Sequence, residues 1–249
     1  MDFLFNNYTV LLLVCAVTLI ASIIQGTTGF GFGIFAMIFL PRILVYTEAN
    51  VLSTMLSSMT SLLVAVLGFK NINWKNTVFP VIGCILSTYL AVSFIKTQSS
   101  DTLMLLLGVA LFLLSVYFFF FTDKIKIRPT WYAGLIAGIL SGILGGMFSI
   151  GGPPVVVYYM QSEEDPKSYV TTISAYFVLS GAVSVATKAA AGFVTNYVLW
   201  GFAIGIIGML LGSFVGKSIR EHVKPKVIKK IVYGFMAVSG IVNVITAII

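Results

Sequence analysis

"QGTTGFGFGIFAMIFLP" (Gln25–Pro41) and "SIGGPPVVVYYM" (Ser149–Met160) break two of the most apolar stretches of the chain with glycine and proline. A glycine inside a helix costs about 1 kcal/mol relative to alanine, and the first stretch incurs that cost at Gly26, Gly29, Gly31 and Gly33. In a bilayer, irregular backbone is tolerated only where protein buries it or a watery cavity meets it. These two stretches therefore decide between a bundle of unbroken spans and one whose helices break at mid-depth.

Composition places the chain in lipid. Hydrophobic residues make up 59% of the 249 and charged ones 9%, against about 25% charged in soluble domains. Mean hydropathy is +1.04. A water-soluble fold of this size could not hide so much apolar surface, so the expected class is an all-α polytopic membrane protein. The N-terminus has an acid and no Lys or Arg ahead of its first apolar run, which reads as a retained membrane segment and not as a cleaved signal. Cys15 and Cys84 lie in separate apolar segments and read as small buried hydrophobes, with no disulfide or metal pairing expected. The net charge of +7 reads as the cytoplasmic bias of membrane loops, and nucleic acid is not an expected partner.

The apolar segments are Tyr8–Ile24, Phe30–Tyr46, Ala49–Phe69, Asn76–Ile95, Thr102–Phe121, Trp131–Leu144, Pro154–Met160, Tyr169–Ala190, Tyr197–Val215 and Val227–Ile249. The two that flank the second glycine cluster read as too short to span, which gives eight to ten membrane segments with broken or re-entrant helices at the glycine motifs. If each segment reverses the chain, Lys70, Lys75, the basic residues of 124–128, Lys167 and those of 217–230 share one side, leaving Arg42, Lys96 and Lys188 on the other. The positive-inside bias then puts both termini on the non-cytoplasmic side of the plasma membrane. Ser99 and Asp165 read as helix caps, with Pro166 in the first turn. Trp74, Trp131, Tyr197 and Trp200 read as interfacial aromatics.

The halves echo each other. "GFKNINW" at Gly68 and "GFVTNYV" at Gly192 hold matching places, as do the two glycine clusters. Five segments per half is an odd number, so the expected plan is two inverted repeats, residues 1–125 and 126–249, within one membrane domain.

Pro153 and Pro154 suit the first turn of a helix, where the missing N–H is not needed. A half-helix is expected to start there, with an equivalent start after Thr27 or Thr28, one of which would cap it. Helix N-termini carry free N–H groups and a partial positive charge, and so attract anions. Gln25, Thr27, Thr28, Gly29 and Gly31 from the first break would therefore form a substrate site with Ser149, Gly151, Gly152 and Pro153 from the second. Ser57 joins them from the Ser53–Ser57–Ser61 helix face, although back-bonding to its own helix explains such hydroxyls equally well. The glycines Gly134, Gly138 and Gly142 read instead as close helix packing. Lys188 either snorkels to the outer interface or attracts the anion on the outer path. No Asp or Glu lies deep in any segment, so a proton relay would need another group. There is no P-loop, HExxH or GxSxG signature. No catalytic residue, metal site or cofactor is expected.

"GTTGFGFGIFAMIFLP" and "GGMFSIGGPPVVVYYM", one in each half, resemble the paired signatures of the sulfite exporter TauE/SafE family of permeases. The resemblance extends over essentially the whole chain; Phe30 and Phe32 interleave the glycines where many members have a consecutive run. It implies a small-anion permease, exporting or importing sulfite-like or sulfonate anions across the plasma membrane. The expected function is thus a secondary transporter working by alternating access through rocking of the two halves, with the anion, a coupling ion or proton, and the bilayer as partners. The alternatives are an anion channel and, less consistent with the residues, an intramembrane enzyme or accessory subunit.

Overall fold

The computed structural model describes residues 8–120, 128–222 and 225–248, without the side chains of residues 220–232, 235 and 246–248. Lys124, Lys126, Lys224 and the boundary between 125 and 126 lie outside the described residues, as do the side chains of Arg220, Lys226, Lys229 and Lys230.

Among the described residues the chain is helical throughout. The helices are α1 (Tyr8–Thr28), α2 (Phe32–Phe39), α3 (Tyr46–Leu67), α4 (Trp74–Ile95), α5 (Ser100–Phe120), α6 (Trp131–Phe148), α7 (Gly152–Ser162), α8 (Pro166–Ala190), α9 (Asn196–His222) and α10 (Pro225–Ile248). Seven of them, α1, α3–α6, α8 and α9, are long and apolar enough to cross a membrane. The chain is a multi-pass membrane protein.

Several segment limits move. The expected span Phe30–Tyr46 is the 8-residue α2 followed by a 3-10 turn, Leu40–Arg42, and Tyr46 already belongs to α3. Pro41 sits in that turn, where its fixed φ fits and its missing N–H is harmless. In the other direction, α6 extends past Leu144 to Phe148, making 18 residues in place of a short segment. Its glycines do not end it, because α4 packs against them. α7, at 11 residues, is short as expected.

The expected caps form. Ser168 N–H donates to Asp165 Oδ2 (2.8 Å), with Pro166 in the first turn of α8, and Thr102 N–H donates to Ser99 Oγ (3.2 Å). Trp74 and Trp131 begin α4 and α6 with roughly half of their surface exposed.

Small residues draw the helices together, since lipid offers apolar side chains no reason to prefer one another. α6 lies along α4 on the stripe Gly134, Gly138, Gly142 and Gly146: a Cβ at Gly138 would overlap the Pro80 carbonyl, and one at Gly142 would come within 2.7 Å of the Cys84 carbonyl. The packing reading of that stripe holds. α9 lies along α1 in the same manner, with Gly208, Gly212 and Gly216 against the carbonyls of Cys15, Leu19 and Ile23. α5 meets α10 at the reciprocal pair Gly108 and Gly240, and α3 meets α8 where Gly181 abuts Ser58. Leu, Phe, Ile and Trp side chains on the outward faces are exposed, as a lipid-facing surface requires.

Candidate functional site

α1 runs through Gly26 and ends at Thr28, so neither Thr27 nor Thr28 caps α2. Gly31 occupies that position in the left-handed region (φ 101°) with no side-chain cap, and Gly29 (φ 83°) makes the first part of the turn. Only glycine takes such a pair of angles without strain. Thr28 stabilises the break differently. Its hydroxyl donates to the carbonyl of Phe30 (2.6 Å) or Ile24 (2.9 Å). Thr27 donates to Ile23 O (2.7 Å) or Gly216 O (3.2 Å) and so fastens α1 to α9.

The second break uses a non-glycine residue. Ser149 ends α6 at φ 58°, a conformation that costs roughly 1–2 kcal/mol outside glycine. Ser149 N–H returns to Gly145 O (3.0 Å) and Ile150 N–H to Leu144 O (3.2 Å), closing the end of α6. α7 then starts at Gly152, one residue before the expected Pro153, with the prolines in its first turn.

The two breaks touch. A Cβ placed on Gly33 would overlap the Ser149 carbonyl oxygen, and one on Gly152 would sit 3.5 Å from Phe30 Cβ. The N-termini of α2 and α7 therefore meet at the C-terminal end of α6. The middle turns of α3, α4 and α8 close the remaining sides.

A cavity of about 600 Å³, its open mouth included, lies at this junction. Gln25, Gly31, Gly33 and Ile34 line it from the first break, and Ser149, Ile150, Gly151 and Gly152 from the second. α3 contributes Thr54, Ser57 and Ser58; α4 contributes Cys84 and Thr88; α6 contributes Ser141, Gly142 and Gly145. Phe177, Ser180, Gly181 and Ser184 complete it from α8, and Phe30 covers one side. Among the described residues the walls hold hydroxyls, backbone, the Gln25 amide, the Cys84 thiol and a few apolar groups, and no carboxylate or cation.

Hydrogen bonds tie these walls together. Gln25 Nε2 donates to Ser61 Oγ (2.7 Å), and Ser57 Oγ donates to Gln25 Oε1 (3.2 Å), joining α1 to α3. Tyr46 Oη and Asn50 Nδ2 both donate to the Met147 carbonyl (2.7 Å each), satisfying an otherwise free group at the end of α6. Ser141 Oγ donates to Gly151 O (2.5 Å) and accepts from Tyr176 Oη (2.8 Å). The Ser184 hydroxyl faces the cavity buried and without a partner.

Lys188 does not snorkel. It is fully buried, and its Nζ donates to Thr54 Oγ1 (2.7 Å) and Gly145 O (3.3 Å). Thr54 Oγ1 in turn lies 3.0 Å from Ser149 Oγ. The ammonium thus stands directly behind the cavity wall, against the C-terminal carbonyls of α6, whose partial negative charge favours it.

Of the residues expected at the site, Gln25, Gly31, Ser57, Ser149, Gly151 and Gly152 line the cavity. Lys188 reaches it through Thr54. Thr27, Thr28, Gly29 and Pro153 lie outside its walls and shape the turns or packing behind them. Ser53, on the anticipated serine face, is buried with an unpartnered hydroxyl away from the walls. Thr54, Ser58, Cys84, Thr88, Ser141, Ser180 and Ser184 were not anticipated. A partial signal lay in polar residues four apart, Thr54–Ser58 on α3 and Ser180–Ser184–Lys188 on α8, a spacing that ordinary back-bonding serines share.

No curated protein and no solved structure gives a significant match to the chain. The family model described as "Sulfite exporter TauE/SafE" matches residues 14–242, and the chain therefore belongs to this family of membrane transporters for sulfite-type anions.

Proposed function

We propose that the chain is a secondary permease that moves a small sulfur-containing oxyanion or organosulfonate, such as sulfite, through the cavity between the two helix breaks. The observation that carries this reading is the contact of Gly33 with Ser149. It gathers two helix N-termini and a hydroxyl-lined cavity, with a buried cation one hydrogen bond behind. α2 offers its first N–H groups with no side chain capping them. α7 offers fewer, since Pro153 and Pro154 carry none, and Ser149 and Ser141 add hydroxyls on that side.

The halves are inverted repeats in this reading, with both termini outside the cytoplasm. Helix pairing supports it. Exchanging each helix for the one five places along turns the α1–α9 pair into α6–α4. The α5–α10 and α3–α8 pairs map onto themselves. The cavity sits where the pairs converge, the place from which access could alternate between sides.

The test is uptake of labelled sulfite and methanesulfonate into proteoliposomes. Saturable, counterflow-capable uptake is expected. Gly152→Leu fills the cavity beside Phe30, and Thr28→Val removes the hydroxyl that holds the first break. Both should abolish flux while leaving monodisperse, folded protein. Undiminished flux in both variants would refute the site, and large single-channel currents would replace the permease with a channel.

A further inference from the structure

We propose that Lys188 is the proton-coupling group of this cavity: its amine takes up a proton when an anion binds and releases it when the anion leaves, making the transporter an anion–proton symporter. The inference rests on the cavity being the anion site proposed above, and it names the coupling ion.

The argument starts from what surrounds the amine. Lys188 has no exposed surface and lies in α8, which packs on α3, α4, α6 and α7. From α3 the group that faces it is the Thr54 hydroxyl, and from α6 the Gly145 carbonyl. From α4 it is the Cys84 thiol, the ionisable group within electrostatic reach. Tyr176, on α8 itself, is engaged with Ser141 and lies beside Cys84. On α7, Tyr158 packs on Tyr159 and Tyr159 on Tyr176, while Glu163, just past its end, is held by Asn76 and Ser168. Among the described residues no carboxylate pairs with it.

A buried ammonium held only by neutral acceptors has no counter-charge within reach beyond the partial charges of the α6 carbonyls. An anion in the cavity changes that. Bound at Ser149 and Thr54, it stands one hydroxyl away from Nζ and supplies the missing counter-charge. The Thr54 hydroxyl has a single proton, which goes to Asn50 O (2.9 Å) or to Ser149 Oγ, so its other side stays free to accept from Nζ. The face Phe177–Ser180/Gly181–Ser184–Lys188 runs from the cavity to the amine at helical spacing. Ser184 lies one turn from Lys188 with its hydroxyl unpartnered.

The step balances without another reactant. One proton adds to the neutral amine to give the ammonium as one anion enters, and both depart on the other side. For a monovalent anion the loaded carrier is electrically neutral relative to the empty one. A polytopic chain with no Asp or Glu deep in its apolar segments can in this way couple to a proton gradient through a base.

The experiment uses the full chain in liposomes with a lumenal pH dye. The probe is methanesulfonate, which carries no titrating proton near neutral pH, with sulfite as a second probe. Saturable uptake of neither by the wild type would overturn the cavity reading and this inference with it. Given uptake, methanesulfonate should acidify the lumen by about one proton per anion, and clamping the membrane potential should leave its rate unchanged. Lys188→Arg keeps a permanent cation, and its remaining uptake should be potential-sensitive without lumenal acidification. Lys188→Met should lower uptake by more than about tenfold in protein that elutes as the wild type does. Wild-type uptake with no pH change, or unaltered coupling in Lys188→Arg, would overturn the inference while leaving the anion site intact.

Discussion

Replacing Gly33 with alanine tests directly whether the two helix breaks meet. The added Cβ would overlap the carbonyl oxygen of Ser149, a backbone atom already fixed by the closure of α6. Ordinary contact needs about 3.5 Å, so one break must retreat from the other by more than about an ångström. Overpacking of this kind costs up to about 3 kcal/mol, and alanine returns at most about 1 kcal/mol in helix propensity. The net loss is about 2 kcal/mol, roughly a thirtyfold shift in the unfolding equilibrium. Gly152→Ala is the matched control, because its Cβ would meet Phe30 at an ordinary 3.5 Å and should change stability by less than about 0.5 kcal/mol. Reversible unfolding in mixed micelles, followed by tryptophan fluorescence, measures both variants. Anion uptake should fall in Gly33→Ala and persist in Gly152→Ala. Equal stability of the two variants would refute the contact and the site built on it.

Three further outcomes follow from the same structure. Gln25→Ala breaks the α1–α3 link to Ser57 and Ser61 and should cost about 1–2 kcal/mol in the same unfolding assay, with uptake reduced. Glu163→Ala removes the carboxylate to which Asn76 Nδ2 and Ser168 Oγ donate at 2.7 and 2.6 Å, leaving Asn76 only its longer bond to Ser162 O (3.3 Å), and should cost about 1–3 kcal/mol in the unfolding assay. In a Cys15→Ser background, Cys84 lines the cavity and should react with a small sulfonated thiosulfonate reagent, more slowly when methanesulfonate is present; no reaction, or no protection, would argue against an anion path past α4.

Much of this was legible in the chain because lipid simplifies the code. Most span positions, the α8 cap at Asp165 and the glycine stripe of α6 follow from hydropathy, proline and spacing alone; α2, read as a span, and α6, read as too short for one, do not. The first break was misread locally. Thr27 and Thr28 are good capping residues, but positive φ at Gly29 and Gly31 lets α1 continue to Thr28 and start α2 without a cap. Lys188 stayed ambiguous because its distance from the end of α8 permits snorkelling; only the position of Thr54 and Gly145 turns it inward. The hydroxyls of Ser141, Ser180 and Ser184 could not be separated from ordinary back-bonding serines, since hydrophobic periodicity is weak in helices that are apolar all round.

The glycine-locked pairs α1–α9 and α4–α6 each join a helix from one half of the sequence to a helix from the other. Thr18 lies within 3.3 Å of a carbonyl 187 residues further on, at Gly205. During synthesis, α1 enters the bilayer long before the surface it fits has been made, and until then only α2 and α3 can hold it. The last third of the chain therefore completes the seam of the first helix. A truncation before α9 should leave α1 without its closest neighbour, as prey for quality control, however well the first eight helices insert.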